Sequence, residues 1–281
     1  AGCSLTVMWL DDELERLWLA PADTPTFRRG AVPGTAAPRR RVEDAAATEA
    51  PPTVQADADG TRAARAVSKV LDALAAALAE AEPELGRIDA VAGDGDHGRG
   101  MAKGSAAASA AAQDALAAGA GPAGVLTAAG TQWADRAGGT SGVLWGAALT
   151  AFGRRLGDLG LPSDTDVVAA VRDSYEALVD LGGASPGDKT MLDAWLPFAD
   201  ALESGVAEGG SWLAAWGGAA ETAQRAADAT ADLSPKVGRA RPLAERSLGT
   251  PDAGAVSFAL CVRVAGQVLG TGADDEVEEQ Q

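Results

Sequence analysis

Aromatic side chains make up only 4% of the 281 residues, histidine occurs once and cysteine twice, and acidic residues outnumber basic ones 40 to 23. Each shortage excludes something. With few aromatic and β-branched residues against so much alanine and glycine, the chain favours closely packed helices over sheets, and the expected fold class is all-α. Cys3 and Cys261 lie near opposite ends of the sequence and give no disulfide framework, so reduced thiols and a cytoplasmic location are expected. A net charge of −17 and a pI near 4.4 leave no basic face for a phosphate backbone, so no nucleic acid is expected as a partner. The basic triplet Arg39, Arg40 and Arg41 sits in a Pro/Ala-rich stretch and reads as linker. Long apolar runs are missing as well. The stretch "GCSLTVMWL" is too short to cross a bilayer and has no basic leader, so neither a membrane segment nor a targeting segment is expected.

What is present suffices for one good-sized domain, with 47% hydrophobic residues. Residues 31 to 60 are polar, proline-bearing and aperiodic, and read as a flexible linker. Ahead of them, residues 1 to 30 are too short to fold alone. Behind them, 61 to 272 carry a continuous helical pattern, followed by an acidic tail at 273 to 281. In "TRAARAVSKVLDALAAALAEAEPEL", Val67, Val70, Leu71, Leu74 and Leu78 follow the i, i+3/i+4 rule, and Pro83 is expected to mark the end. Pro122 opens a later helix, and "SDTD" at 163 to 166 offers caps and early acids for another.

The stretch "RIDAVAGDGDHGRGM" sets Asp89, Asp94 and Asp96 among four glycines and the single histidine, His97. Gly93, Gly95 and Gly98 satisfy a dinucleotide fingerprint, but Asp94 and Asp96 would then face the pyrophosphate. As a calcium loop starting at Asp94 it fails too, with Arg99 at the turn glycine and Ser105 at the bidentate acid. Two carboxylates about 4 Å apart repel by roughly 4 kcal/mol at an effective dielectric near 20, so three together call for protonation or a cation. Oxygen ligands without a thiolate suit a hard ion such as Mg²⁺. A solvated Gly-Asp turn is the competing reading of this stretch taken alone.

Three further clusters place small residues directly before a helix: "RAGGTSGVLWG", "GGASPGDKTMLDAW" and "GRARPLAERSLGTPDAGAVSFAL". Glycine and hydroxyl residues at a helix N-terminus supply free N–H groups and a positive dipole end, a ready phosphate site, which describes Gly138 to Gly142. Close helix packing through glycine is the alternative. No Walker A loop is present, because "GDKT" breaks the required order. An acidic metal loop, a small-residue cradle and scattered basic residues suit phosphoryl transfer. Lys189 with Asp188 is expected as a surface or helix-start pair, and Arg246 on a solvated face. Trp133, Trp145, Trp195, Trp212 and Trp216 are expected as core or interface anchors.

In order and combination, "DAVAGDGDHGRGM", "GGTSGVLWG", "GDKTMLDAW" and "ERSLGTPDAGAVS" resemble the motif series of the nucleotide-binding L domain of dihydroxyacetone (glycerone) kinases, over about 61 to 272. Residues 1 to 30 resemble the C-terminal end of the ketose-binding K domain of the same family. The resemblance implies an eight-helix antiparallel barrel holding ATP or ADP at one end through two Mg²⁺ ions. It makes Asp89, Asp94 and Asp96 metal ligands and puts His97, Gly98, Arg99 and Gly100 beside the phosphates. Thr140 and Ser141 would bind phosphate, Gly182 and Met191 would border the nucleotide, and Arg239 with Asp252, Ala253 and Gly254 would close the far side. Ala253 stands where the family often has proline. His97 as a capping residue and Met191 as ordinary core are the competing readings of those two.

The resemblance implies an ATP-dependent kinase that phosphorylates a terminal hydroxyl of a short ketose, dihydroxyacetone or the related erythrulose. The sugar would be held by a K domain, upstream in the same polypeptide or on a separate subunit, through a histidine that this stretch lacks. The family's other donor, a phosphotransferase-system protein recharging a bound ADP, is disfavoured by the K-like segment and linker. Two readings from other classes remain: a nucleotide-loaded regulatory module without catalysis, and a domain like that of the fatty-acid kinases. The K-like segment argues against both. Homodimerisation is left open.

Overall fold

The structure, a computed structural model, describes residues 7–21, 54–238 and 240–278. The chain divides into two compact units, Ala1–Pro52 and Thr53–Gln281. In the first, α1 (Asp12–Leu19) starts at Asp11, whose carboxylate accepts the Leu14 N–H at 2.8 Å, and its Leu14, Leu17 and Trp18 are exposed. Cys3 lies outside the described residues.

The second unit is built of α2 (Ala58–Asp89), α3 (His97–Ala117), α4 (Pro122–Ala137), α5 (Gly139–Leu156), α6 (Asp164–Gly182), α7 (Leu192–Ala207), α8 (Trp212–Ala229), a short α9 (Ala244–Ser247) and α10 (Ala253–Glu278). Short connections make successive helices antiparallel neighbours. Each long helix packs on the next, and α10 packs on both α8 and α2, which closes the ring. The result is an all-α, eight-helix antiparallel barrel, and no strand occurs among the described residues.

The alanine and glycine content lets these helices approach closely. A Cβ on Gly130 or on Gly146 would lie 2.6 Å from the other's carbonyl oxygen, so α4 and α5 meet backbone to backbone. The few aromatics gather inside the ring. Trp133 stacks on Trp145 at 5.1 Å, Trp195 on Phe258 at 4.3 Å, and Phe198 meets Trp216 edge-on at 5.0 Å. These tryptophans are core, as their helical spacing suggested. Cys261 is buried in the same core without a disulfide, and burial pushes its thiol up to about 12. The stretch Ala253–Thr271 of α10 is long and apolar enough to cross a membrane by composition, yet here it forms one wall of the ring.

Several expected boundaries hold. Pro122 occupies the first turn of α4, and Ser163 caps α6 with a reciprocal Asp166 capping box. Pro83 does not end its helix: α2 runs through it to Asp89. Proline inside a helix costs about 3 kcal/mol, but stopping there would leave Leu85 and Ile88 unburied, each worth roughly 1.5–3 kcal/mol. Packing therefore overrides the breaker, and the extension carries Asp89 to the end of the barrel.

At the opposite end, aspartates serve the backbone. Asp57 accepts the N–H groups of Gly60 (2.6 Å) and Gly160 (3.0 Å), and Asp158 accepts that of Gly124 (2.9 Å). Those contacts hold Asp57 below the usual carboxylate range.

Candidate functional site

The connections α2–α3, α4–α5, α6–α7 and α8–α10 all fall at the other end of the barrel, and they carry the sequence clusters singled out above. Asp89 is the last residue of α2, Asp96 the N-cap of α3, and Asp94 lies in the turn between. Carboxylate oxygens of the three lie within 4.8 Å of one another. Asp96 makes no side-chain capping bond, unlike Asp57 at the far end. Asp89 Oδ2 accepts the His97 N–H at 3.3 Å. Three convergent carboxylates with no sulfur or imidazole among them fit a hard divalent ion such as Mg²⁺. Gly98 makes the cluster possible: a Cβ there would stand 2.1 Å from the Glu82 carbonyl oxygen, so only glycine lets the first turn of α3 settle on α2.

His97 is engaged away from the carboxylates. Its Nε2 lies 3.0 Å from Ser257 Oγ on α10, and that hydroxyl donates to the Gly254 carbonyl at 3.0 Å, so the imidazole is the donor of the pair. Burial pushes the His97 pKa down, against the opposing pull of Asp89 and of a backbone contact at Ala253. His97 thus ties the acidic loop to the start of α10. Ser257, fully buried, was missed in the sequence; the signal was a lone hydroxyl in the apolar run "GAVSFAL".

Beside the acidic loop stands the α4–α5 junction. A Cβ on Gly100 would be 3.3 Å from the Ala137 carbonyl, which sets the end of α4 against the first turn of α3. Gly138 (φ 69°) and Gly139 (φ 61°) turn the chain through left-handed backbone into α5. Thr140 and Ser141 are exposed in the first turn of α5, which has no acidic residue and no side-chain cap. Its N–H groups are left for an anion. Arg99 is exposed on the first turn of α3.

The remaining residues border the same mouth. Gly182 ends α6, with its Cβ direction 3.4 Å from Leu144 of α5. Met191, buried, is the N-cap of α7, and a Cβ on Gly254 would lie 3.4 Å from the Met191 Cβ. Asp252 accepts the Ala255 N–H at 2.8 Å at the start of α10, next to buried Ala253. Arg239 lies outside the described residues. The other sequence-derived positions come together at one end of the barrel. Lys189 and Asp188 do not form the expected surface pair: Lys189 is buried, with Nζ donating to the Leu233 and Ser247 carbonyls, while Asp188 pairs with Lys236 at 3.6 Å. The left-handed backbone at Lys189 (φ 63°) turns it inward, which local sequence did not reveal.

Burial raises the Asp252 carboxyl to about 6, with Asp193 adding to the rise and the Ala255 N–H and Lys189 opposing it. A folded-state value above the unfolded 3.8 means that this group's stabilising contribution is full below pH 3.8 and is lost as pH rises through 6. Its size is about 2–3 kcal/mol. Asp252→Asn keeps the capping acceptor and removes the titration, so its stability relative to the parent should rise between pH 4.5 and 7 in urea unfolding. An equal difference at both pH values would contradict the burial of this carboxyl.

The chain is similar to known proteins in sequence and in fold. The DAK2 domain family matches residues 91–267. The D-erythrulose kinase of Mycolicibacterium smegmatis is 63% identical over 266 residues, covering 94% of this chain and 46% of that protein. The L-erythrulose kinase of Pectobacterium atrosepticum is 49% identical over 272 residues, covering 96% and 45%. Among solved structures, the dihydroxyacetone kinase of C. freundii superposes in its native form with a TM-score of 0.55 at 26% identity, covering 92% of this chain and 43% of that one. Its complex with AMP-PNP and Mg²⁺ gives 0.57 at 24% identity, with 92% and 42% covered. The chain spans a little under half the length of the relatives it matches.

Proposed function

Because the chain belongs to the DAK2 domain family, we propose that it is the phosphoryl-donor part of a kinase, holding Mg·ATP at the barrel mouth and passing the γ-phosphate to a terminal hydroxyl of a short ketose. Erythrulose is favoured over dihydroxyacetone as the ketose, since the relatives at 63% and 49% identity are both named for it. A ketose-binding K domain, fused or separate, would present the sugar. The observation that carries this reading is the convergence of Asp89, Asp94 and Asp96 beside the open N-terminus of α5.

Asp89, Asp94 and Asp96 would hold the ion, and the first-turn N–H groups of α5, with Thr140 and Ser141, would bind phosphate oxygens. An Mg²⁺ ion held there would supply charge neutralisation for nucleotide phosphates. Gly138 and Gly139, without side chains, leave the backbone open to a phosphate at close approach. Gly182 and Met191 would border the nucleoside. No side chain of this chain is assigned as a general base; its contribution is positioning and charge, the usual division of labour in phosphoryl transfer.

A melting series tests the reading. Mg²⁺ and ATP together should raise the melting temperature clearly, by about 2.7 kcal/mol of added stability at 100 times Kd, while either alone does little. An equal rise for ATP in EDTA would exclude the carboxylate cluster as a metal bridge.

A further inference from the structure

Between the end of α8 and the start of α10 the chain makes an Ω-like excursion whose ends are pinned together. The Gly249 N–H donates to the Ala231 carbonyl at 2.9 Å, and the Asp252 N–H to Thr230 Oγ1 at 2.8 Å. Several of its described residues are solvent-exposed, including Lys236, Arg241 and Arg246. Into its neck reaches Lys189 from the α6–α7 connection, the one described non-glycine residue with left-handed backbone. Its ammonium donates to the Leu233 carbonyl (3.0 Å), the Ser247 carbonyl (2.7 Å) and Ser247 Oγ (3.1 Å). Three protons meet three acceptors, so a buried cation is fully hydrogen-bonded without a direct carboxylate partner. The base of Lys189 is held as firmly. Asp193 accepts the N–H groups of Gly187 and Thr190, and the Asp188 carbonyl accepts the Lys236 N–H at 3.2 Å.

A buried lysine on strained backbone is costly as a mere packing device, and its place explains it. On one side it is two residues from Met191. On the other, Ser247 leads directly into Asp252, Ala253 and Gly254, and Gly254 packs on Met191 while its carbonyl receives the Ser257 hydroxyl that His97 contacts. One side chain therefore fastens the nucleoside-side loop to the excursion, and through the start of α10 to the acidic loop.

We propose that Lys189 is a positioning residue for the nucleotide site, a clasp that fixes the 230–252 excursion against the α6–α7 loop so that Met191, Asp252–Gly254 and the acidic loop face one ligand. It touches no reacting group. This inference rests on the proposed Mg·ATP reading for its consequence, but the clasp itself can be read without nucleotide.

The test uses the full chain with Lys189→Met, which keeps the stem and loses the donors, Lys189→Arg as the conservative rescue, and Ser247→Ala as a milder loss of one acceptor. Limited trypsin digestion without nucleotide, read by mass spectrometry, should show cleavage after Lys236 and Arg246 at least about tenfold faster in Lys189→Met. Cleavage after Arg65 and Lys103 in the ring helices should stay unchanged. Calorimetric titration should show Mg·ATP bound about tenfold more weakly, with Lys189→Arg and Ser247→Ala in between. Unchanged excursion cleavage in Lys189→Met, or faster cleavage with unchanged Mg·ATP affinity, overturns the proposal. If Lys189→Met fails to fold, the graded effect of Ser247→Ala on both readouts decides in its place, and no effect on either overturns it. A parent chain that binds no Mg·ATP would refute the proposed function instead, and the digestion would still decide the clasp.

Discussion

The chain carrying Asp96→Asn is expected to lose Mg·ATP affinity by about 100-fold or more while folding as well as the parent. Removing a group that merely orients a metal ligand costs 10–100-fold in affinity, and removing the ligand's own charge should cost at least the upper figure. The fold should not suffer, because the Asp96 side chain is exposed and makes no capping bond to its own helix. Loss of its charge also relieves repulsion in a cluster whose oxygens lie within 4.8 Å. Metal-free Asp96→Asn should therefore melt at or slightly above the parent. Asp135→Asn, on an exposed residue of α4, removes one charge of the same sign outside the cluster and should leave affinity nearly unchanged. Titration calorimetry with Mg·ATP, paired with thermal melts in EDTA, measures both. Equal affinity in parent and Asp96→Asn would return the loop to an ordinary solvated turn.

Aspartates show what could and could not be read from sequence. Asp57 and Asp158 at one end and Asp89, Asp94 and Asp96 at the other look alike as residue types within a few positions of glycine. Crowding marked the second group, since three acids fall within eight residues and Arg87 and Arg99 only flank them, with Arg87 paired to Glu84. The helical period, Pro122 and the Ser163 box made the long helices legible because those signals act within one turn. Pro83 misled for the complementary reason: its local cost was outweighed by burial of Leu85 and Ile88 on a partner helix that the local pattern does not contain. Lys189 and Ser257 were illegible as site neighbours because their partners, Ser247 and His97, are far along the chain. The ring closure of α10 on α2 likewise depends on contacts across the whole domain.

The largest expected effect concerns turnover. The chain by itself should bind Mg·ATP and yet show no ketose-dependent release of ADP, because the proposed mouth supplies the donor half of a site whose proposed acceptor half is a K domain. Holding a ketose hydroxyl in line with the γ-phosphate can remove roughly 7–11 kcal/mol of barrier, which charge neutralisation by a carboxylate-held cation does not replace. Adding a purified K domain from the same family should restore turnover with erythrulose, and the rate should rise with its concentration as for any bimolecular assembly. Joining the two through a stretch of the composition of residues 31 to 60 should abolish that concentration dependence, since a short flexible tether gives an effective concentration of about millimolar. ADP release would be followed with erythrulose and with dihydroxyacetone, with and without the K domain, and with Asp96→Asn as the blank. Ketose-dependent turnover by the chain alone would overturn the divided site. Turnover absent with every K domain tried, alongside intact Mg·ATP binding, would instead favour a nucleotide-loaded regulatory module, in which the same clasped mouth reports nucleotide to a partner without passing the phosphate on.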